Sequence, residues 1–140
     1  MTKASERETV KVEHVNGGAG FIMKEALITG EELGEHCKMF SRVTIKPGCE
    51  LGHHEHHGET ETYYVISGSG MYDDNGKAVP IEAGDVTFCK DGDGHGVTNT
   101  APVHLFVAPL NLKKSKTGRN KSQQKRAGRA REKLPDTARS

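Results

Sequence analysis

At 140 residues the chain is long enough for one domain with a single core. Hydrophobic residues make up only 33% and glycine fills 17 positions, the composition of a turn-rich β domain with a polar extension. No apolar run nears the roughly 18 residues of a membrane helix, and the first eight residues lack an apolar core, so neither a spanning segment nor a secretory leader is expected. Cys37, Cys49 and Cys89 are widely spaced, odd in number and without a Cys-x-x-Cys pair. They predict buried thiols in a reducing, cytoplasmic setting. The net charge of +1 conceals a division: residues 1–110 hold nine Lys/Arg and seventeen Asp/Glu, a balance of −8, whereas residues 111–140 hold eleven and two, a balance of +9.

In chain order, residues 9–15 alternate, with Val10 and Val12 on one face, and read as a strand whose His14 is solvent-facing or structural. The glycine-rich stretch 16–20 is a turn or loop, and Phe21-Ile22-Met23 a short strand. Residues 24–38 mix helix formers with Gly30 and Gly34 and give no firm assignment; His36-Cys37 offers two donors there, with packing the stronger reading. Residues 38–46 read as a strand, Val43 and Ile45 on one face and Phe40, Arg42 and Thr44 on the other, ended by a Pro47-Gly48 turn. The β-branched and aromatic run 61–67 is a strand, bent at Gly68-Ser69-Gly70. Asp73-Asp74-Asn75-Gly76 is a hairpin signal, because Asn-Gly adopts the primed turns, and residues 77–81 return from it. Val86-Thr-Phe-Cys89 is a further strand, the loop 91–94 delivers His95, and residues 103–110 form a last strand whose His104 packs or faces a cavity. Short strands at near-regular spacing, separated by turn signals, predict an all-β sandwich or barrel.

Residues 1–112 therefore form the folded unit, and residues 113–140 are read as a basic, disordered tail with too little apolar surface to offset its ordering entropy. The tail either contacts a polyanion or acidic surface or is merely solvated. Neither a nucleic-acid-binding fold nor stacking aromatics accompany it.

The chemistry concentrates in residues 53–61, where four of the five residues from His53 to His57 are histidine and Glu59 and Glu61 follow. Strand alternation puts His54 and His56 on one face, where two imidazoles can share an ion, and sends His53, Glu55 and His57 to the other. Glu61 could return a carboxylate to that ion, with Glu59 its rival in a slipped register. Tyr63 shares the Glu61 face by parity and is the candidate catalytic residue, as proton donor or substrate hydrogen bond, with core filling as its alternative. A second stretch, Gly84-Asp85, His95 and Asn99, is read as part of the same site.

Gly48, five residues, His54-x-His56, four residues, Glu61, six residues and Gly68 match the first motif of the cupins. Gly84, five residues, Lys90-Asp91-Gly92, two residues, His95, three residues and Asn99 match the second, with Lys90 where proline is usual. The chain thus resembles a small single-domain cupin over roughly residues 40–110. The resemblance implies a double-stranded β-helix (jelly-roll) barrel in which His54, His56, Glu61 and His95 hold one divalent transition metal. It also implies a homodimer, paired through sheet faces and an exchanged N-terminal strand. Three imidazoles and a carboxylate with room for water favour Mn²⁺ or Fe²⁺ and leave Ni²⁺, Co²⁺, Cu²⁺ and Zn²⁺ open. The function expected is oxygenation, decarboxylation or isomerisation of a small hydroxy- or keto-acid-like substrate. The alternative is a non-catalytic metal or small-molecule sensor or store.

Overall fold

A computed structural model describes residues 1–114. Ten strands run in chain order: β1 (Thr9–Glu13), β2 (Phe21–Ile28), β3 (Cys37–Ile45), β4 (Glu50–Glu55), β5 (Glu59–Ser67), β6 (Ser69–Asp74), β7 (Lys77–Glu82), β8 (Val86–Cys89), β9 (Gly94–Thr98) and β10 (Leu105–Lys113). They form a six-stranded sheet, β1-β2-β3-β10-β5-β8, and a four-stranded sheet, β4-β9-β6-β7. Every pairing is antiparallel. This is the predicted all-β jelly roll.

Alternation builds the core. On β3 the inward residues are Ser41, Val43 and Ile45, on β5 Glu61, Tyr63 and Val65, and on β10 Leu105, Val107 and Asn111. Tyr72, Val97, Leu51 and Ile81 close the cluster from the opposite sheet. Each such aliphatic or aromatic side chain contributes about 1.5–3 kcal/mol on burial. The apolar part of the core fills one end of the barrel; at the other end the inward positions turn polar, and the site lies there.

Two turns are set by backbone freedom. Asn75 and Gly76, at φ 51° and 95°, link β6 to β7 as the Asn-Gly pair predicts. Gly18 and Gly52 let the turn Val15–Gly17 settle on β4: a Cβ at Gly18 would stand 2.8 Å from Gly52 N. That close approach holds Val15 and Asn16 at the mouth of the site cavity.

Several boundaries differ from those expected. β2 continues to Ile28 although Lys24-Glu25-Ala26-Leu27 are helix formers, because β1 and β3 pair with it on both sides as far as Glu25 and the ladder to β3 carries it on to Ile28. The region left unassigned is thus strand to Ile28 and then a single 3₁₀ turn, Gly30–Leu33. β10 starts at Leu105, not 103, and runs to Lys113, one residue into the stretch read as tail; Lys113 N–H donates to His36 O and Lys114 N–H to Gly58 O. The remainder of the basic tail lies outside the described residues. Cys49 and Cys89 are buried thiols as expected, but Cys37 is only half-buried, its Sγ 3.6 Å from Met39 O. His36 is exposed and joins no donor group with Cys37. His104 sits before β10, exposed and beside Phe106, so it faces neither core nor cavity. No helix among the described residues is long and apolar enough to cross a membrane.

Candidate metal centre

Three strands and one turn converge on a single point. β4 delivers His54, β9 delivers His95 directly across the ladder from it, and β5 in the other sheet delivers Glu61. His56 was expected on the same strand as His54, but β4 ends at Glu55. His56 instead occupies the following turn, fixed by its N–H to Asp93 O and by Gly92 N–H to its carbonyl. The loop 91–93 thus does for His56 what a strand ladder does for the others. His53 and His57 point away: His53 pairs with Asp73 at 2.6 Å and His57 with Glu55 at 3.1 Å, both exposed.

The four donor groups form the one cluster of metal-ligand type among the described residues, their ligand atoms all within 4.8 Å of one another. His95 Nε2 lies 2.9 Å from Glu61 Oε1, 3.0 Å from His56 Nε2 and 3.1 Å from His54 Nε2. Glu61 Oε1 is 3.2 Å from His56 Nε2 and 3.5 Å from His54 Nε2. Two donors on neighbouring positions of an ion, each about 2.1 Å away, stand about 3 Å apart. His95, His56 and Glu61 are almost wholly buried.

The opposite nitrogens decide what this cluster presents. His54 Nδ1–H donates to Gly52 O at 2.8 Å, and His56 Nδ1–H donates to Glu59 Oε1 at 2.7 Å. Neither a carbonyl nor an ionised carboxylate can donate, so both tautomers are fixed. His95 Nδ1 meets Tyr72 Oη at 2.8 Å. As neutral imidazoles, His54 and His56 then turn unprotonated Nε2 atoms inward, toward His95 Nε2 and a carboxylate oxygen, while the Tyr72 hydroxyl, able to donate or accept, sets no single tautomer on His95. Lone pairs so close in a buried place repel unless a cation stands between them, and a divalent metal fits both the spacing and the donor set.

The electrostatics follow. Burial pushes His95 below the ordinary imidazole range, outweighing the nearby Glu61. Burial acts likewise on His54, but the Glu61 carboxylate and the Gly52 carbonyl outweigh it and raise the group. Burial alone would raise both glutamates. His56, Lys38 and Asn111 instead hold Glu59 down at about 2, and the imidazoles of His54 and His95 hold Glu61 well below the usual carboxylate range. Tyr63 is buried, stacks on the His95 ring and has its hydroxyl 3.4 Å from His95 Nε2. Burial and then the charge of Glu61 push its phenol well above the usual value, so it is a neutral hydroxyl.

Three supporting residues escaped the sequence reading. Glu59, considered a rival ligand, is the partner of His56; its parity with Glu61 already placed it on the inward face. Asn111, where the composition begins to shift toward the tail, is buried, and its Nδ2 lies 3.1 Å from Glu59 Oε1 and 3.4 Å from Glu61 Oε2. Tyr72 reaches His95 only because β6 and β9 pair, a long-range register no local signal carries. Conversely, Asp85 and Asn99 are not part of the cluster. Asp85 accepts the Glu82 N–H, and Asn99 donates to Ile45 O and Val103 O and accepts Ala101 N–H, locking the loop before β10. Lys90 is exposed, and Asp91 closes that loop by accepting Gly58 N–H.

A cavity of about 220 Å³ opens onto His54, Glu61 and Tyr63, with Ile22, Val43 and Leu51 among its apolar walls. Two antiparallel sheets enclosing three inward imidazoles and a carboxylate define a double-stranded β-helix barrel whose interior could hold a metal. A family model described as Cupin domain matches residues 41–109. A protein from Thermotoga maritima named oxalate-binding protein is 36% identical over 113 residues, which are 80% of this chain and 93% of that one. The chain belongs to the cupins. A solved structure described as a predicted oxalate decarboxylase from Thermotoga maritima is similar with a TM-score of 0.78 and 34% identity, covering 81% of this chain and 98% of that one. KdgF from Halomonas sp. shares the fold alone, with a TM-score of 0.65 and 18% identity over 81% of this chain and 93% of that one.

Proposed function

We propose that His54, His56, Glu61 and His95 hold one divalent transition metal, Mn²⁺ or Fe²⁺ by preference, and that the site captures a small carboxylate chelator of the oxalate class. The observation that carries this reading is the donor cluster itself, opening onto a cavity sized for a small acid. The relatives named for oxalate, both above 30% identical over nearly their whole length, support the ligand class. When bound, the metal supplies a positive centre that attracts the oxygens of such an acid. The chain fixes the tautomers of His54 and His56, excludes bulk water with Ile22, Val43 and Leu51, and keeps Tyr63 as a hydroxyl donor beside the ligand space. Metal analysis of the isolated protein followed by calorimetric titration with oxalate tests the reading. Absence of stoichiometric metal binding, or of oxalate binding to the loaded protein, refutes it.

Turnover is a second reading, by decarboxylation, oxygenation or isomerisation of a hydroxy- or keto-acid, and the Tyr63 hydroxyl favours it, because decarboxylation and isomerisation each deliver a proton to the reacting carbon. Oxygen uptake, CO₂ release and formate production by the loaded protein distinguish a catalyst from a sensor or store. A homodimer and a cytoplasmic location belong to the same reading; β1 ends the six-stranded sheet with one edge unpaired among the described residues, which is what a second copy would cover. The polyanion contact read for residues 113–140 falls almost wholly outside the described residues.

A further inference from the structure

The cavity beside the four donors has one cation in its wall. Lys24 lies on β2, in register with Val43 of β3 and Val10 of β1, two residues from the buried Ile22 and so on the same inward face. Its side chain is half-buried and borders the space shared by His54, Glu61 and Tyr63. No other lysine or arginine lines this cavity among the described residues.

Most cations near it are already engaged. Lys38 is paired with Glu59, Arg7 with Glu25 and Lys11 with Glu13, while Arg42 and Lys46 lie over the rings of Phe106 and Phe21. Lys24 has no carboxylate oxygen within 4.0 Å and no ring beneath it among the described residues. Lys24 also borders a separate surface groove with Glu6, Arg7 and Glu8, yet neither Glu6 nor Glu8 is its ion-pair partner. An ammonium at the border of an apolar cavity, with no counter-ion among the described residues, keeps its donors free for an anion that enters. Residues 1–110 carry a balance of −8, so the general field repels anions and a local cation is needed to admit one.

We propose that Lys24 is the specificity-determining residue of the site and recognises the outward oxygens of a dianionic chelator. The proposal rests on the reading of the site as a metal centre for a small carboxylate. A dicarboxylate that chelates through one oxygen of each carboxylate leaves its two remaining oxygens, and their charge, facing away from the ion. Lys24 Nζ donates to those oxygens across the cavity. A hydroxy acid such as glycolate, with a single charge and one outward oxygen, gains less from the same ammonium.

The test uses the Mn²⁺-loaded full-length protein and its Lys24→Met, Lys24→Gln and Lys24→Arg variants, with metal content and thermal melts measured first. Methionine keeps an unbranched apolar stem; glutamine serves if the methionine protein does not fold. Calorimetric titration with oxalate should give a dissociation constant about 10- to 100-fold higher for Lys24→Met or Lys24→Gln, the range of a lost hydrogen bond to a charged group. Glycolate should weaken by roughly threefold or less, as for a partly screened charge, and Lys24→Arg should keep most of the oxalate affinity. Unchanged oxalate binding in the methionine or glutamine protein overturns the role of Lys24 while leaving the metal-centre reading intact. An equal loss for both ligands also overturns it, because that marks a general field and not recognition of outward oxygens. Failure of the loaded native protein to bind oxalate overturns both readings.

Discussion

Glu59 offers a sharp test of how the cluster is held, because it lies outside the four donors and touches one of them. Its Oε1 receives His56 Nδ1–H at 2.7 Å and Asn111 Nδ2 at 3.1 Å, and its Oε2 receives Lys38 Nζ at 3.0 Å. In a Glu59→Gln protein an amide oxygen can still accept from His56, so the tautomer survives and only the charge is lost. A charge-assisted hydrogen bond exceeds a neutral one by about 1 kcal/mol, so metal affinity should fall about fivefold. In Glu59→Ala the Nδ1–H has no partner, and the proton is free to move to Nε2, where it competes with the metal. That change should weaken metal binding about 10- to 100-fold, the range for loss of an outer partner. Competition against a chromophoric chelator at pH 7.5 measures both, with melts of the metal-free proteins as a control for folding. The order native, glutamine, alanine is the expected outcome. Equal affinity in all three would show that His56 is oriented without Glu59, and the tautomer argument would fail.

Alanine at His54, His56, Glu61 or His95 should each leave a small fraction of the native metal content, whereas His53→Ala and His57→Ala should leave it unchanged; elemental analysis after gel filtration reads this directly. Tyr72→Phe removes the oxygen beside His95 Nδ1 and should destabilise the metal-free fold by about 1 kcal/mol, seen as a lower denaturant midpoint at unchanged slope. In chelator, stability should fall with acid. Glu59 titrates at about 2 in the fold against 4.5 outside it, so its contribution is whole above pH 4.5 and disappears as the pH approaches 2. His95, pushed down by burial, destabilises as pH falls below about 6.5, whereas His54, raised, adds stability that is whole below about 6.5 and is lost as pH rises above it, so acid loss begins with His95 and steepens below pH 4.5 as Glu59 is protonated. Leu105→Ala, at a position with no exposure, should cost about 2–5 kcal/mol in chemical unfolding, and a midpoint shift worth under 1 kcal/mol would contradict the core described.

What the sequence made legible was whatever depends on spacing along the chain. Alternation separated His54 from His53, and the Asn75-Gly76 turn, the inward Val43 and Ile45, and the parity of Tyr63 with Glu61 were all local. What it hid was set by partners far away in the chain. Lys24-Glu25-Ala26-Leu27 carry helical propensity, yet the ladder to β3, joined by β1 as far as Glu25, makes them extended, and with that Lys24 enters the cavity wall. Asn111 looked like the edge of a basic tail because composition is averaged over a window, while its position opposite Glu61 depends on one register between β10 and β5. Tyr72 stands just before the hairpin signal with nothing local to mark it, and pairing of β6 with β9 makes it the neighbour of His95.

The donors come from both sheets: His54 and His95 from the four-stranded one, Glu61 from the six-stranded one, and His56 from the turn between them. An ion held there would act as a staple through the middle of the sandwich, at the end where apolar filling gives way to polar groups. Its energy would then count toward keeping the layers together as well as toward holding a ligand. Loading would slow amide hydrogen exchange most along β4, β5 and β9, and far less on the β6–β7 hairpin, whose tip stands outside the bridged layers. The same barrel would be a tight box when metallated and a looser clamshell when not, and the width of its mouth would follow the supply of metal.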